Sequence, residues 1–340
     1  MATFTFPSSA ELTRISQVLL PTYQDKDPLF DLFPLTSVDA NILKWHQFDR
    51  YQGLQQVRGL NGEPPKVKRV GISEYQMVPG TYGEFVEIDE MELTTRREIG
   101  TFGTPVKLDD LVLQAQEQLQ QREVDRIRLI LWTLMSTGTF SVSSPISGGV
   151  THTDTYPIQT FSAGTPWATF ATATPLANFR SVQLLSRGYS VNFGSQALAF
   201  MNRVTFNNMI SNTNNNDLAG RRVSRLLSVL NLEEVNKVLM GEDLPTVVIY
   251  DRTYQDETDT FQLFIPNAKV VVVGVRPNNE TVGDYAMTRN ANNDNLEPGS
   301  YTLVEDSLNR QQPPRRLRIH RGHNGGVRLH FPSAVVVMSV

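Results

Sequence analysis

The chain has 340 residues, a formal net charge of −4 and no cysteine. Its length allows two ordinary domains or one elaborated domain, and the lack of cysteine excludes disulfides, thiolate metal sites and cysteine nucleophiles. The net negative charge gives no general attraction to nucleic acid, which would require a local basic patch instead. Because no secretory signal pattern and no run of about 18 apolar residues occurs, we expect a soluble protein made in the cytoplasm.

Two apolar segments open the chain. Residues 8–11 have the form of a capping box and predict a short amphipathic helix that ends at Pro21. Residues 25–33 contain Pro28 yet are rich in leucine and phenylalanine, a composition too apolar for a free linker. We therefore expect this second segment to lie along another surface as an arm.

Residues 51–104 have the pattern of a long extended hairpin whose apolar content is too low to bury itself. Turn-forming residues at 61–65 predict its tip, and a change of alternation at Glu90 predicts a bulge or a bend. The basic residues of the outgoing half are Lys66, Lys68 and Arg69. The acidic residues of the returning half are Glu84, Glu87, Asp89 and Glu90. We expect a neighbouring subunit to cover this hairpin and these residues to contact it.

A long helix follows the predicted hairpin. Thr104 and Pro105 supply an N-cap and a first-turn proline, apolar residues recur at helical spacing through 105–136, and Gly138 is placed to end the helix. At 1.5 Å per residue such a helix spans about 45 Å, well beyond the average globular helix. We expect it to act as a strut.

The remaining chain alternates between strand and helix patterns. Polar and aromatic residues without a helical period predict strands and loops over 138–174. Helices are predicted at 175–185 and 218–240. Strands are predicted at 247–250, 261–265, 270–275, 316–320, 327–331 and 334–338. Helices segregated from mostly antiparallel strands indicate an α+β fold.

Two motifs that could support catalysis or metal binding are incomplete. Residues 188–192 resemble a nucleophile elbow but lack its final glycine, so we expect an ordinary strand serine there. His320, His323 and His330 cluster near the C-terminus without an acidic partner close in sequence, so we expect neither a metal site nor a bound cofactor. Paired carboxylates in 84–90 would suit a hydrolase, but the same spacing commonly keeps a strand edge soluble.

The densest basic run comprises Arg315, Arg316, Arg318, Arg321 and Arg328. Two interpretations compete: contact with nucleic acid, or pairing with the acidic segment 84–92 within the subunit or across an interface. We favour pairing, because alternating arginines on a strand lack the interleaved aromatic residues that stack on bases.

The order of these features resembles that of a known family. An N-terminal arm, a long loop closing through residues 75–85 (YQMVPGTYGEF) and a long helix after 104–105 occur in turn. This order resembles the major capsid proteins of tailed bacteriophages with the HK97-like fold, most closely the lambda-type major capsid protein E family. The resemblance covers residues 25–136 by organisation, and beyond them only the order of elements fits.

The resemblance implies a division of the chain and a function. The divisions are an N-terminal arm (1–45), an E-loop (46–100), a peripheral domain (101–169) with a spine helix (105–136), an axial domain (170–310) and C-terminal strands (311–340) that return to the peripheral domain. The implied function is assembly through hexamers and pentamers into an icosahedral shell that encloses double-stranded DNA. The subunit would then be no enzyme, would be assembled in the host cytoplasm and would reside in the virion capsid.

The same resemblance implies partners. They are further copies of the chain, a portal, packaged DNA held by non-specific contact, and a decoration protein in some shells. A separate scaffolding protein is expected because the capsid-like region begins within the first 45 residues. A covalent cross-link through Lys66 or Lys68 is not carried over, since the sequence locates no partner for it. The alternative is another phage structural protein that forms rings or tubes.

Overall fold

The computed structural model describes most of the chain. The described residues are 12, 27–47, 54–55, 57–60, 62–63, 73–97, 103, 106–143, 151–212, 231–256, 258–276, 280–293, 296–306 and 316–340. The helix predicted to begin at residues 8–11, most of the turn at 61–65, Lys66, Lys68, Arg69 and Arg315 lie outside these ranges, so those predictions stay untested.

The long helix organises the molecule. The helices in the described part of the chain are α1 (Pro28–Leu32), α2 (Glu90–Thr95), α3 (Leu108–Thr137), α4 (Pro175–Leu184), α5 (Arg203–Ile210) and α6 (Leu232–Gly241), with a 3-10 turn at Pro332–Ala334. The prediction of one long helix is confirmed by the 30 residues of α3. Its start was predicted too early, because the N-cap position is Lys107, which makes no side-chain capping bond. Gly138 ends it with φ 78°, a left-handed conformation that glycine adopts without strain.

A five-stranded sheet, the first sheet, lies on α3. It contains β1 (Leu35–Ser37), β4 (Gly80–Ile88), β13 (Gly283–Thr288), β14 (Tyr301–Asp306) and β15 (Leu317–Leu329). The 13-residue strand β15 pairs antiparallel with β4 along one edge and with β14 and β13 along the other. It therefore joins the acidic strand to strands more than 200 residues away.

A second five-stranded sheet carries the valine-rich segments. Its order is β7 (Gln159–Ser162), β16 (Val335–Ser339), β12 (Lys269–Val273), β8 (Leu198–Met201) and β9 (Thr246–Ile249). The valines of β12 are buried on both faces, as their unbroken run predicts. The β16–β7 and β8–β9 pairs are parallel, so the sheets are more mixed than the expected antiparallel arrangement.

The remaining strands form three two-stranded hairpins. They are β2 (Leu43–Gln47) with β3 (Ser73–Met77), β5 (Thr139–Ser143) with β6 (Thr151–Thr155), and β10 (Thr253–Gln255) with β11 (Phe261–Leu263). Of the hairpin predicted over 51–104, the returning strand β4 pairs with β15. Most of the outgoing half before β3 lies outside the described residues, so the pairing between the two halves stays a prediction.

Three hydrophobic clusters hold these layers together. The largest packs the C-terminal half of α3, including Trp132, against α1 and both sheets. A second lies between the second sheet and helices α4, α5 and α6. A third packs the N-terminal half of α3 on the inner face of β4 and β15, where Ile88 and Ile319 are buried.

The two sheets cut across two predicted boundaries. Strands β13 and β14 fall inside the predicted axial domain (170–310), yet they lie in the first sheet beside β4. Strand β16 lies in the second sheet between β7, which is inside the predicted peripheral domain, and β12, which is inside the predicted axial domain. The sheets therefore do not coincide with the divisions that the resemblance implies, and those divisions stay a prediction.

Candidate functional site

Strand β15 brings the acidic segment and the arginine-rich segment together. In its register with β4, Arg318 lies opposite Glu87 and Arg321 lies opposite Glu84. Because successive side chains of a strand point to opposite faces, the first pair lies on one face of the sheet and the second on the other. The favoured interpretation of the arginines, pairing with the acidic segment, is therefore met within one subunit.

The outer face of this sheet carries a mixed row of charges. The Arg318 guanidinium contacts the Glu87 carboxylate and lies 3.6 Å from that of Glu305 on β14. Arg316 approaches Glu87 to 3.7 Å. The side chains are partly exposed, so each pair adds little to stability in water. Their effect is to neutralise one another and leave the face without a strong charge.

Beside the charged row lies an apolar one. Phe85 on β4, His320 on β15 and Leu303 on β14 are neighbours in the register. The Arg318 guanidinium lies 5.1 Å from the centre of the Phe85 ring, and His320 stacks at 5.2 Å. Phe85 is nonetheless 52% exposed and Leu303 42% exposed. The outer face therefore presents an uncovered apolar strip.

The inner face holds a buried ionic cluster. Arg321 donates to the Glu123 carboxylate of α3 at 2.5 Å and to the Thr302 hydroxyl at 3.3 Å. Ser300 donates to the same carboxylate at 2.5 Å, and His323 lies 3.0 Å from it. Burial alone would raise the pKa of Glu123, but the Arg321 charge and the bonds from His323 and Ser300 outweigh it and lower the pKa to about 2.

The other predicted acidic residues have local roles. Glu84 pairs with Arg122 of α3, and this hydrogen bond lowers the pKa of Glu84 despite partial burial. The Asp89 side chain accepts the Glu92 N–H at 2.8 Å and caps α2. Glu90 begins that helix, so of the two alternatives predicted there, a bulge or a bend, the bulge does not occur: the change of alternation marks the end of strand β4.

A second buried ion pair anchors the arm. Asp27 caps α1 and accepts hydrogen bonds from Arg128 of α3 at 2.7 Å and from the Tyr250 hydroxyl at 3.0 Å. Leu29, Phe30 and Leu32 of α1 are buried. The expectation that residues 25–33 lie along another surface is confirmed for 27–33, and that surface belongs to the same chain.

The predicted chemical motifs have other structural roles. Each C-terminal histidine has an acidic neighbour distant in sequence: Glu305 for His320, Glu123 for His323 and Asp284 for His330, at 3.7, 3.0 and 3.2 Å. Within the described ranges no group of three metal-binding side chains occurs. Ser190 lies in a bend and not in the expected strand. No helix of the described residues is long and apolar enough to cross a membrane.

Sequence reasoning missed the buried acids. Glu123 lies on the apolar side of α3, one residue before the buried Val124 and four after the buried Leu119. A charge within an apolar stripe signals a buried partner, because an isolated carboxylate is too costly to bury. That signal was available in the sequence. The identity of the partner was not, because Arg321 is 198 residues further along the chain.

Comparison with solved structures defines the class of protein. A protein assigned as the capsid protein of a prophage of Escherichia coli CFT073 aligns with a TM-score of 0.57 and 12% identity, covering 99% of this chain and 100% of that one. A phage-related protein from Bordetella bronchiseptica RB50 aligns with a TM-score of 0.55 and 12% identity over 96% of both chains. A chain of the mature capsid of bacteriophage PhiM1 gives 0.50 and 9%, with coverages of 100% and 89%. These identities show the fold alone, the HK97-like fold of phage capsid proteins.

The sequence itself gives the family. The chain belongs to the phage major capsid protein E family, whose model matches residues 52–302. A search of curated proteins gives no match. Family membership makes the chain a structural subunit of a capsid shell, located in the virion capsid, and not an enzyme. The resemblance drawn from the arm, the loop and the long helix is confirmed.

Proposed function

We propose that this subunit assembles through hexamers and pentamers into an icosahedral shell that encloses double-stranded DNA. The proposal rests on a set of apolar side chains that are exposed to solvent in a single copy of the subunit. In the loop before β3, Leu54, Val57 and Leu60 are 90, 96 and 98% exposed. Contiguous exposed apolar residues mark interaction sites in soluble proteins, and the family to which the chain belongs builds shells from copies of one subunit.

The proposed residue-level contacts separate the paired charges from the exposed apolar residues. Glu87, Arg318 and Arg321 are engaged within the subunit, so we propose only a minor inter-subunit role for them. The leading candidates are the exposed apolar residues of the loop, with Lys66, Lys68, Arg69 and Arg315 as further candidates. Contact of this loop with a different surface of a neighbouring copy would be heterologous, the type that closes into rings.

Further partners complete the proposal. We propose that a separate scaffolding protein guides assembly in the host cytoplasm, that a portal interrupts the shell, and that a decoration protein binds outside in some shells. With a net charge of −4, the subunit is suited to holding DNA by confinement and local basic contacts instead of by base-specific ones.

Electron microscopy of the purified protein tests the proposal. We expect closed icosahedral particles from the wild-type chain, alone or with a co-expressed scaffolding protein. Open tubes or isolated rings would favour the alternative structural role, and monomers under all conditions would contradict assembly.

A loop variant tests the observation itself. Replacing Leu54, Val57 and Leu60 with serine should abolish particles, because it removes the uncovered apolar surface, while circular dichroism and the melting temperature of the subunit stay unchanged. The matched control is Gln55→Ser in the same loop, which should assemble as the wild type does. Normal particles from the triple variant would show that another surface drives assembly.

A further inference from the structure

Two buried groups of side chains share one chemical arrangement. In the first, His152 of β6 has its Nε2 atom 3.0 Å from the Asp154 carboxylate, and its Nδ1 atom contacts the Tyr82 hydroxyl of β4. In the second, His323 of β15 has its Nδ1 atom 3.0 Å from the Glu123 carboxylate, and its Nε2 atom lies 2.9 Å from the hydroxyl of Tyr285. Each is a carboxylate–histidine–tyrosine triad. We call them the Tyr82 triad and the Tyr285 triad.

Both triads are enclosed. His152, Asp154, Glu123, His323 and Tyr285 are all buried, and only Tyr82 is partly exposed. The two 3.0 Å contacts between ring nitrogen and carboxylate are within hydrogen-bond distance but are not linear. Burial raises the pKa of both tyrosines, so each keeps its hydroxyl proton at neutral pH and is able to donate it. A buried tyrosine of this kind is a structural donor and not a nucleophile.

The partners fix opposite tautomers for the two histidines. A ring nitrogen that receives a tyrosine proton must be unprotonated, and the nitrogen facing a carboxylate must carry the proton. His152 is therefore protonated on Nε2, whereas His323 is protonated on Nδ1. A neutral imidazole without such partners has no reason to carry its proton on Nε2 at one site and on Nδ1 at the other.

The two triads are in direct contact and span four parts of the fold. The ring of Tyr82 lies 5.4 Å from that of His323 and 5.7 Å from that of His152. Through this ring, β4 is joined to hairpin β5–β6 on one side and, through His323, to α3 and β13 on the other. Gly80 makes the approach possible, because a Cβ atom there would overlap the His152 ring.

We propose that the Tyr82 and Tyr285 triads act together as a conformational latch that holds β4 in one position between hairpin β5–β6 and α3. Strand β4 continues from the predicted loop, so the latch makes the base of the loop move only with the long helix and the hairpin. A strand held by backbone pairing to β15 alone could slide or twist, whereas the Tyr82 triad and the contact of the Tyr82 ring with His323 of the Tyr285 triad allow one register. The inference depends on the fold and not on the proposed shell geometry.

Imidazole nitrogen NMR of the histidine-labelled wild-type protein gives the first test. We expect the Nε2-protonated form for His152 and the Nδ1-protonated form for His323, assigned by the resonances that move in Tyr82→Phe and Tyr285→Phe respectively. The same tautomer at both sites, or a Nδ1-protonated His152, would overturn the latch. This measurement requires no variant to assemble.

Amide hydrogen exchange gives the second test. Tyr82→Phe keeps the ring but leaves His152 Nδ1 buried without a donor, a loss worth about 1 to 3 kcal/mol. We expect amides of β4 and β6 to exchange about 5- to 100-fold faster while the second sheet is unchanged. The control Tyr75→Phe removes a hydroxyl from β3 outside both triads and should leave β4 unchanged. Unchanged exchange in β4, or equal acceleration throughout the molecule, would overturn the proposal.

Discussion

At the scale of single residues, buried charges define how the layers fit together. Glu123 with Arg321 and Asp27 with Arg128 tie α3 to the first sheet and to α1, and all four side chains are nearly inaccessible. Burying such pairs gains little net stability over apolar packing, but removing one partner leaves the other charge buried without a counter-ion. These pairs therefore select one arrangement of helix, arm and sheet over slightly shifted alternatives.

The first prediction concerns the charge of Glu123. Glu123→Gln leaves the buried Arg321 guanidinium without its anion, and we expect a loss of about 3 to 5 kcal/mol in the free energy of unfolding. Urea denaturation of the subunit measures it. The matched control Glu84→Gln breaks the solvent-screened pair with Arg122 and should cost less than about 1 kcal/mol. Equal losses from both variants would contradict the distinction between the buried pair and the exposed pair.

The same carboxylate predicts a pH dependence. The folded pKa of Glu123, about 2, lies below its ordinary value of 4.5, so the stabilisation is complete above pH 4.5 and is lost as pH falls towards 2. A displacement of this size corresponds to about 3 kcal/mol. We expect the free energy of unfolding of Glu123→Gln to fall less steeply than that of the wild type between pH 4.5 and 2. Parallel curves for the two proteins would show that Glu123 is not the titrating group.

At the scale of elements, close backbone approach along β15 is the main constraint. Gly322 lies opposite Gly83 of β4 and Tyr301 of β14, and the Tyr301 hydroxyl lies over both glycines. A Cβ atom at Gly322 would overlap the carbonyl oxygen of Tyr82, which as backbone cannot rotate aside. The pairing of β15 with β4 therefore depends on the absence of a side chain at Gly322 as much as on the side chains around it.

Gly322→Ala should therefore separate β4 from β15. We expect a loss of about 1 to 3 kcal/mol, typical of overpacking, with faster amide exchange concentrated in β4. Thermal denaturation and exchange mass spectrometry measure these effects. Gly164→Ala is the matched control, since a Cβ atom there meets nothing within 4 Å. A Gly322→Ala protein as stable as the control would mean that the two strands have room to move apart.

Local pattern predicted the elements well and their partners poorly. The period of 3.6 residues predicted α3, and the uninterrupted valines predicted a strand buried on both faces, because each signal lies within one element. Alternation in β4 shows that the strand has two faces, but it cannot show that its neighbour is β15. The favoured pairing of arginines with the acidic segment came from charge, which acts between segments, and the contacts of Arg316 and Arg318 with Glu87 agree with it.

At the scale of the whole molecule, the charges of the subunit are largely satisfied within the described residues, whereas its exposed apolar residues are not. Glu84, Glu87 and Glu305 each have a cation in the same chain, while Phe85 and Leu303 stay 52% and 42% exposed. An interface that buries the second kind of residue depends on the hydrophobic effect. We therefore expect apolar contacts, and not ion pairs, to be the main interaction between subunits.

Salt dependence distinguishes these two forces in purified particles. Raising sodium chloride from about 0.1 to 1 M shortens the screening length from about 10 to 3 Å, which weakens exposed ion pairs but not apolar contacts. We expect light scattering and electron microscopy to show intact particles across this range. Sodium sulfate should stabilise them against urea, because it strengthens apolar burial. Dissociation by sodium chloride alone would instead assign the interface to Lys66, Lys68, Arg69 and their acidic partners on a neighbouring copy.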